Sequence, residues 1–233
     1  MLISIRRSFL FLLTAMLFAS PALSESLRVE GSLQNGDDKL DGDGEFYDTF
    51  EIKMKAGQVL DVKMVSEDVD CYIAVLTPDD DQIESDDGPD GSTDTNLVHV
   101  ATVTGTYEII ATTASIGESG AYKLSAAAYD SKPLKQETGT LAKGDEVNWK
   151  GGEYLDRIQI ELKKGEKQMI SLESDDFDGY LSVHTPDGDV LLADDPATLI
   201  VQASDAGAYT VVVTSFGPRE VGDYVVKFRS IEE

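Results

Sequence analysis

The stretch DDDQIESDDGPDGSTDTN, residues 79–96, crowds carboxylates among the turn formers Gly, Pro, Ser and Asn. Calcium is the cation that such a stretch suits, because it is hard and takes six to eight oxygens, which Asp side chains and loop carbonyls supply. Asp86, Asp87, Asp90 and Asp94 are its candidate ligands, and Asp194 and Asp195 form a second acidic pair further along the chain. The competing role for the same acids is local: Asp solvates loops and closes Asx turns without any metal. DGDGEF, residues 41–46, opens like an EF-hand loop but puts Phe46 where the sharp turn needs Gly and Ile52 where the bidentate Glu belongs, so that reading is rejected.

Catalytic chemistry finds less support. No Gly-x-Ser-x-Gly, His-Glu-x-x-His or phosphate-binding loop occurs. Paired carboxylates of the glycosidase kind are compatible with so acidic a composition, but abundance alone selects no pair. Cys71 is the sole cysteine, so no intramolecular disulfide forms, and its alternation with Ile73 and Val75 marks a small buried apolar residue. His99 and His184 are the only histidines, too few with one Cys for a zinc site, and both are expected to be satisfied structural residues on strands. Trp149, in a loop beside Tyr154, is a candidate platform for stacking on a sugar ring.

These residues must be held by something, and the chain supplies it twice. An offset of 108 aligns Gly31 with Gly139, Asp48 with Asp156, Gly57 with Gly165, Tyr72 with Tyr180, and Thr77-Pro78-Asp79 with Thr185-Pro186-Asp187. Beyond Asp86-Asp87 the offset becomes 102, pairing Gly105-x-Tyr107 with Gly207-x-Tyr209 and Gly120-x-Tyr122 with Gly222-x-Tyr224. The first copy therefore carries a six-residue insertion in or near GPDGSTDTN. Under this alignment His184 corresponds to Leu76, His99 to Val201 and Trp149 to Asp41.

Inside each copy apolar residues alternate in short runs, such as VLDVKMV and YTVVV, bounded by Gly, Asp or Pro. The expectation is an all-β chain: two tandem antiparallel β-sandwich, jelly-roll-like domains over 25–130 and 137–233, joined by a linker at 131–136. Asp48 and Asp156 each open a strand and are expected to accept backbone N–H bonds. The Gly-x-Tyr tyrosines are expected to pack across the sandwich with their hydroxyls at its rim.

Residues 1–24 combine Arg6 and Arg7, an apolar stretch too short to span a membrane, and the small-x-small ending Ala22-Leu23-Ser24. They are expected to be a cleaved signal peptide, giving an exported, periplasmic or secreted, chain with no membrane span. Cleavage removes two Arg and no acid, leaving 17 basic against 44 acidic side chains, a net charge of −27. That charge repels nucleic acid and anionic membrane surfaces.

The ordered set Gly31-Ser32-Leu33, Tyr47-Asp48, Ala56-Gly57-Gln58, Val69-Asp70, Pro78-Asp79-Asp80, Asp86-Asp87, Gly105-Thr106-Tyr107 and Gly120-Ala121-Tyr122 resembles the bacterial pre-peptidase C-terminal (PPC) domain, and the second copy repeats it from Gly139 to Tyr224. The resemblance implies a jelly-roll sandwich and a non-catalytic role. Such domains usually accompany secreted peptidases, but this chain holds no peptidase domain, so the accessory role does not transfer directly. The expected function is thus an exported non-catalytic binding or scaffolding protein, with calcium as its candidate stabilising ion, whose partner is an extracellular or periplasmic protein or polysaccharide. The competing expectation is an accessory subunit or hydrolase acting on an extracellular polymer.

Overall fold

The computed structural model describes residues 23–40, 44–86, 92–148, 151–193 and 197–232. They divide into two compact units, one ending at Asp130 and one running from Ser131 to Glu232.

The first unit contains β1 (Leu23–Leu33), β2 (Asp48–Met54), β3 (Val59–Val65), β4 (Cys71–Leu76), β5 (Gln82–Ser85), β6 (Thr95–Val100), β7 (Gly105–Thr113) and the part of β8 (Gly120–Leu141) that precedes Ser131. One antiparallel sheet has the order β1-β8-β3-β6 and the other β2-β7-β4-β5. Alternation places Val62, Met64, Ile73, Val75, Tyr107 and Ile109 in the shared core, where they are buried. Cys71 lies in that core, and burial pushes its thiol up to about 12, which leaves it protonated and unreactive as expected.

The second unit repeats the plan with the remainder of β8, then β9 (Glu146–Val147), β10 (Tyr154–Leu162), β11 (Lys167–Glu173), β12 (Gly179–His184), β13 (Val190–Ala193), β14 (Thr198–Gln202), β15 (Gly207–Ser215) and β16 (Gly222–Glu232). Its sheets are β8-β16-β11-β14 and β9-β10-β15-β12-β13. The strand registers repeat with the two sequence offsets. Val59 pairs with Val100 as Lys167 pairs with Gln202, and Cys71 pairs with Thr113 as Gly179 pairs with Ser215. The chain is therefore all-β and built of antiparallel jelly-roll-like sandwiches.

Residues 131–136 were expected as a linker, but they lie within β8. Residues 120–130 of that strand are the counterpart of β16, and residues 131–141 the counterpart of β1. Pro133, Lys135 and Gln136 are exposed there. A strand at a sheet edge tolerates Pro and polar side chains, which is why its text resembles a loop.

One cluster recurs in both units. The Tyr122 hydroxyl donates to Asp48 Oδ2 at 2.5 Å, and the Tyr224 hydroxyl to Asp156 Oδ2 at 2.7 Å. Both tyrosine rings lie across the first strand of their unit, where a Cβ on Gly31 or Gly139 would overlap them. The acceptor role expected for the two Asp thus holds, but the donor is a tyrosine hydroxyl from the last strand and not a backbone N–H. Burial is the main cause that holds the Asp48 carboxyl above its usual range; the Tyr122 bond opposes it.

Candidate functional site

The hairpin that leads into β2 in the first unit, and its counterpart between β9 and β10 in the second, folds over the outer face of the sheet whose inner face lines the core. In the first unit Leu40 N–H donates to Glu45 O at 3.0 Å, and in the second Asn148 N–H donates to Glu153 O at 2.8 Å. A threonine anchors each hairpin from the sheet: Thr112 Oγ1 donates to Phe46 O at 2.8 Å, and Thr214 Oγ1 to Tyr154 O at 2.7 Å. These two bonds recur in both units, and the side chains decide what the face becomes.

In the first unit Leu40 and Tyr47 come down on Ala74 and Ile110, all four are buried, and Tyr72 and Leu76 pack against them. The face is sealed as a small apolar core of its own. In the second unit the corresponding positions are Asn148, Leu155, Ser182, Val212, Tyr180 and His184. With Asn in place of Leu40, and with polar groups at Ser182 and His184, the same face is left as a groove of about 730 Å³.

Leu155, Val212 and Thr214 form the buried floor of this groove. Arg157 and Glu146 line it as an ion pair, Nε to Oε2 at 3.2 Å and Nη2 to Oε1 at 2.9 Å. The Arg157 hydrogen bond lowers the Glu146 carboxyl below its usual range, so the pair stays charged at neutral pH. The first unit has Asp38 and Thr49 at these positions and cannot form the pair. Along the β12 side, His184 Nε2 lies 3.3 Å from Ser182 Oγ, next to Tyr180. Three apolar residues stand at the rim with much of their surface in solvent: Phe216 at 65%, Val147 at 47% and Val190 at 46%. The groove therefore offers an apolar floor and rim with a charged pair, an imidazole and hydroxyls between, the composition of a ligand-binding cleft.

His184 was expected to occupy a position that the fold fills with an aliphatic side chain. It does replace Leu76, but on the outer face, where the groove exposes part of it. His99, by contrast, is a structural residue that is not satisfied: its Nε2 is buried without a hydrogen-bond partner, 6.2 Å separate its ring from that of Tyr107, and desolvation lowers its pKa. Tyr154 is half-buried and packs against the second core. Its proposed neighbour Trp149 lies outside the described residues.

The candidate calcium ligands divide in the same way. Asp86 is exposed at the end of β5, and Asp94 Oδ1 accepts the Ser66 N–H at 3.1 Å, tying the segment before β6 to the end of β3. Asp87, Asp90, Asp194 and Asp195 lie outside the described residues. Among the described residues no group of three His, Cys, Asp or Glu side chains is arranged to hold a metal ion. Among them, too, no helix is long and apolar enough to cross a membrane.

No family model matches the chain, and no curated protein does. Solved structures do. The chain is similar to the Aeromonas hydrophila PliG, a periplasmic lysozyme inhibitor of g-type lysozyme, at 21% identity over 48% of this chain and 90% of that one, with a TM-score of 0.35. It is similar to the CUB1-EGF-CUB2 domain of human MASP-1/3 at 11% identity over 87% and 99% of the two chains, with a TM-score of 0.26. The N-terminal CBM22-1-CBM22-2 tandem domain of Paenibacillus barcinonensis Xyn10C matches at 12% identity over 93% and 91%, with a TM-score of 0.23. These likenesses are of β-sandwich architecture.

Proposed function

We propose that the protein is an exported, non-catalytic binding protein of two PPC-like modules, whose second unit takes up an extracellular or periplasmic protein or polysaccharide in the groove. The observation that carries this is the contrast between copies. One outer sheet face is closed by Leu40 and Tyr47, and its duplicate is open over Ser182, His184 and Arg157. A fold that can seal this face and does so in one copy leaves it open in the other at a cost in buried apolar surface. Retaining that cost points to use. Calcium bracing of the acidic loop around Asp86 and Asp94 belongs to the same proposal.

The test converts the groove to its closed counterpart. A variant carrying Asn148→Leu, Ser182→Ala and His184→Leu is compared with the unaltered chain on a glycan array and in a pull-down of exported proteins. Binding by the unaltered chain that disappears in the variant, with no fall in melting temperature, is the expected outcome. Unchanged binding in the variant would overturn the groove as the site. Turnover of a polysaccharide or peptide substrate that the variant abolishes would favour the hydrolase reading instead.

A further inference from the structure

β13 is the outermost strand of the groove-bearing sheet: β12 pairs with one side of it, and among the described residues no strand pairs with the other. At the hairpin that joins them, Thr185 N–H donates to Asp189 O at 2.9 Å, so this pair is hydrogen-bonded. Antiparallel ladders alternate bonded and unbonded pairs. The next pair, His184 with Val190, is then unbonded, and Val190 turns its N–H and C=O to the free side. Unpaired groups of this kind are a template for another strand, and sheets ordinarily guard them with polar or charged side chains.

The first unit keeps such a guard and the second has lost it. The counterpart edge, β5, reads Gln82-Ile83-Glu84-Ser85, with the Gln82 amide bonded to Glu84 Oε2 at 2.7 Å. β13 reads Val190-Leu191-Leu192-Ala193, and Val190 and Leu191 are 46% and 37% exposed. Val190 also stands on the rim of the groove, so the unguarded edge and the open face adjoin.

We infer that β13 is a docking edge that takes up an extended, lysine- or arginine-bearing segment of a cationic protein as an added strand, with alternate side chains of that segment reaching the groove rim. The inference rests on the groove as the binding face and adds the chemical class of what binds there. Charge selects the occupant. The exposed Asp187 and Asp189 lead into the edge, and the chain as a whole carries −25. A second copy would bring the same charge and the same acids against it. A polysaccharide has no row of N–H and C=O groups to complete a ladder. An extended basic segment supplies both the ladder and the countercharge, with main-chain bonds giving affinity and alternate side chains giving selectivity.

The test is selection of a displayed library of random twelve-residue peptides on the full chain, followed by synthesis of the most enriched peptide. The expected result is enrichment of sequences that alternate apolar residues with Lys or Arg. The synthetic peptide should slow hydrogen exchange at the Val190 amide and bind more weakly as salt rises. Val190→Pro, which lacks the outward N–H, and Val190→Lys, which keeps the backbone and adds a repelling charge, should each weaken it at least tenfold; the second serves if the first does not fold. No enrichment, enrichment of acidic or non-alternating peptides, dimerisation of the chain through this edge, or affinity indifferent to both variants overturns the inference. Loss of binding in the groove-closing variant alone would leave the groove standing and remove the edge; loss with the Val190 variants alone would do the reverse.

Discussion

Leu40→Asn places in the first unit the residue that the second carries, and it should open the sealed face. Leu40 is buried against Tyr47, Ala74 and Ile110, and removing such a side chain forfeits roughly 1.5–3 kcal/mol of burial. An amide confined against apolar neighbours adds about 1–3 kcal/mol. The cluster is small and lies under a single hairpin, where water reaches the new amide, so the net cost should fall near the low end of the sum, about 2–3 kcal/mol. Cys71 provides a readout confined to this unit: it is the only cysteine, lies in the first core, and with its thiol at about 12 reacts only when the core opens. At tenfold per about 1.4 kcal/mol, labelling by a thiol reagent under native conditions should accelerate roughly 30- to 150-fold. Leu40→Ala, which introduces no amide, should give a smaller acceleration than Leu40→Asn. An increase of less than about threefold, some 0.6 kcal/mol, would refute the claim that Leu40 seals the face, and with it the contrast on which the groove rests.

Three further outcomes are expected. His99 is held neutral by burial, so its pKa lies below the ordinary 6.5 in the folded chain. The unfolded chain takes up the proton more readily, and stability should be lost as pH falls through and below 6.5; His99→Val, the residue of the other copy, should flatten that part of a urea-midpoint profile. Asp48→Ala leaves the Tyr122 hydroxyl without its acceptor and should cost about 1–3 kcal/mol in urea unfolding, while an unchanged midpoint would deny the bond a role in stability. Calcium should raise the melting temperature more than magnesium does at equal ionic strength, because binding to the folded state adds to the screening of the net negative charge that either ion provides; equal shifts would dismiss a specific site.

The sequence was most informative where a residue type is dictated by backbone geometry. The turn residues and the Gly-x-Tyr pairs carried the 108 and 102 offsets, and every strand register cited above repeats with them. Inward positions such as Ile73, Val75, Leu181 and Val183 followed from alternation with equal directness. What escaped was long-range. Asp48 and Tyr122 are 74 residues apart, and neither announces the other. Residues 131–136 looked like a connector because an edge strand need not be apolar. The groove was partly written in the alignment: Leu40 against Asn148, Ala74 against Ser182 and Leu76 against His184 are all apolar-to-polar changes. Each one alone reads as tolerance at a surface position; only the fold shows that the three share a single outer face.

The pairing of β1 with β8, from Leu33 beside Gly120 to Glu25 beside Ala128, closes the first unit by joining its earliest strand to its last. The Tyr122 ring over Gly31 and its bond to Asp48 complete that closure. A chain that emerges amino end first can lay down hairpins such as β4–β5 early, but β1 has no partner until nearly the whole unit has appeared. Contacts of such sequence separation make folding slow. Each copy should therefore stay open, and able to pass through a narrow channel, until its own final strand arrives.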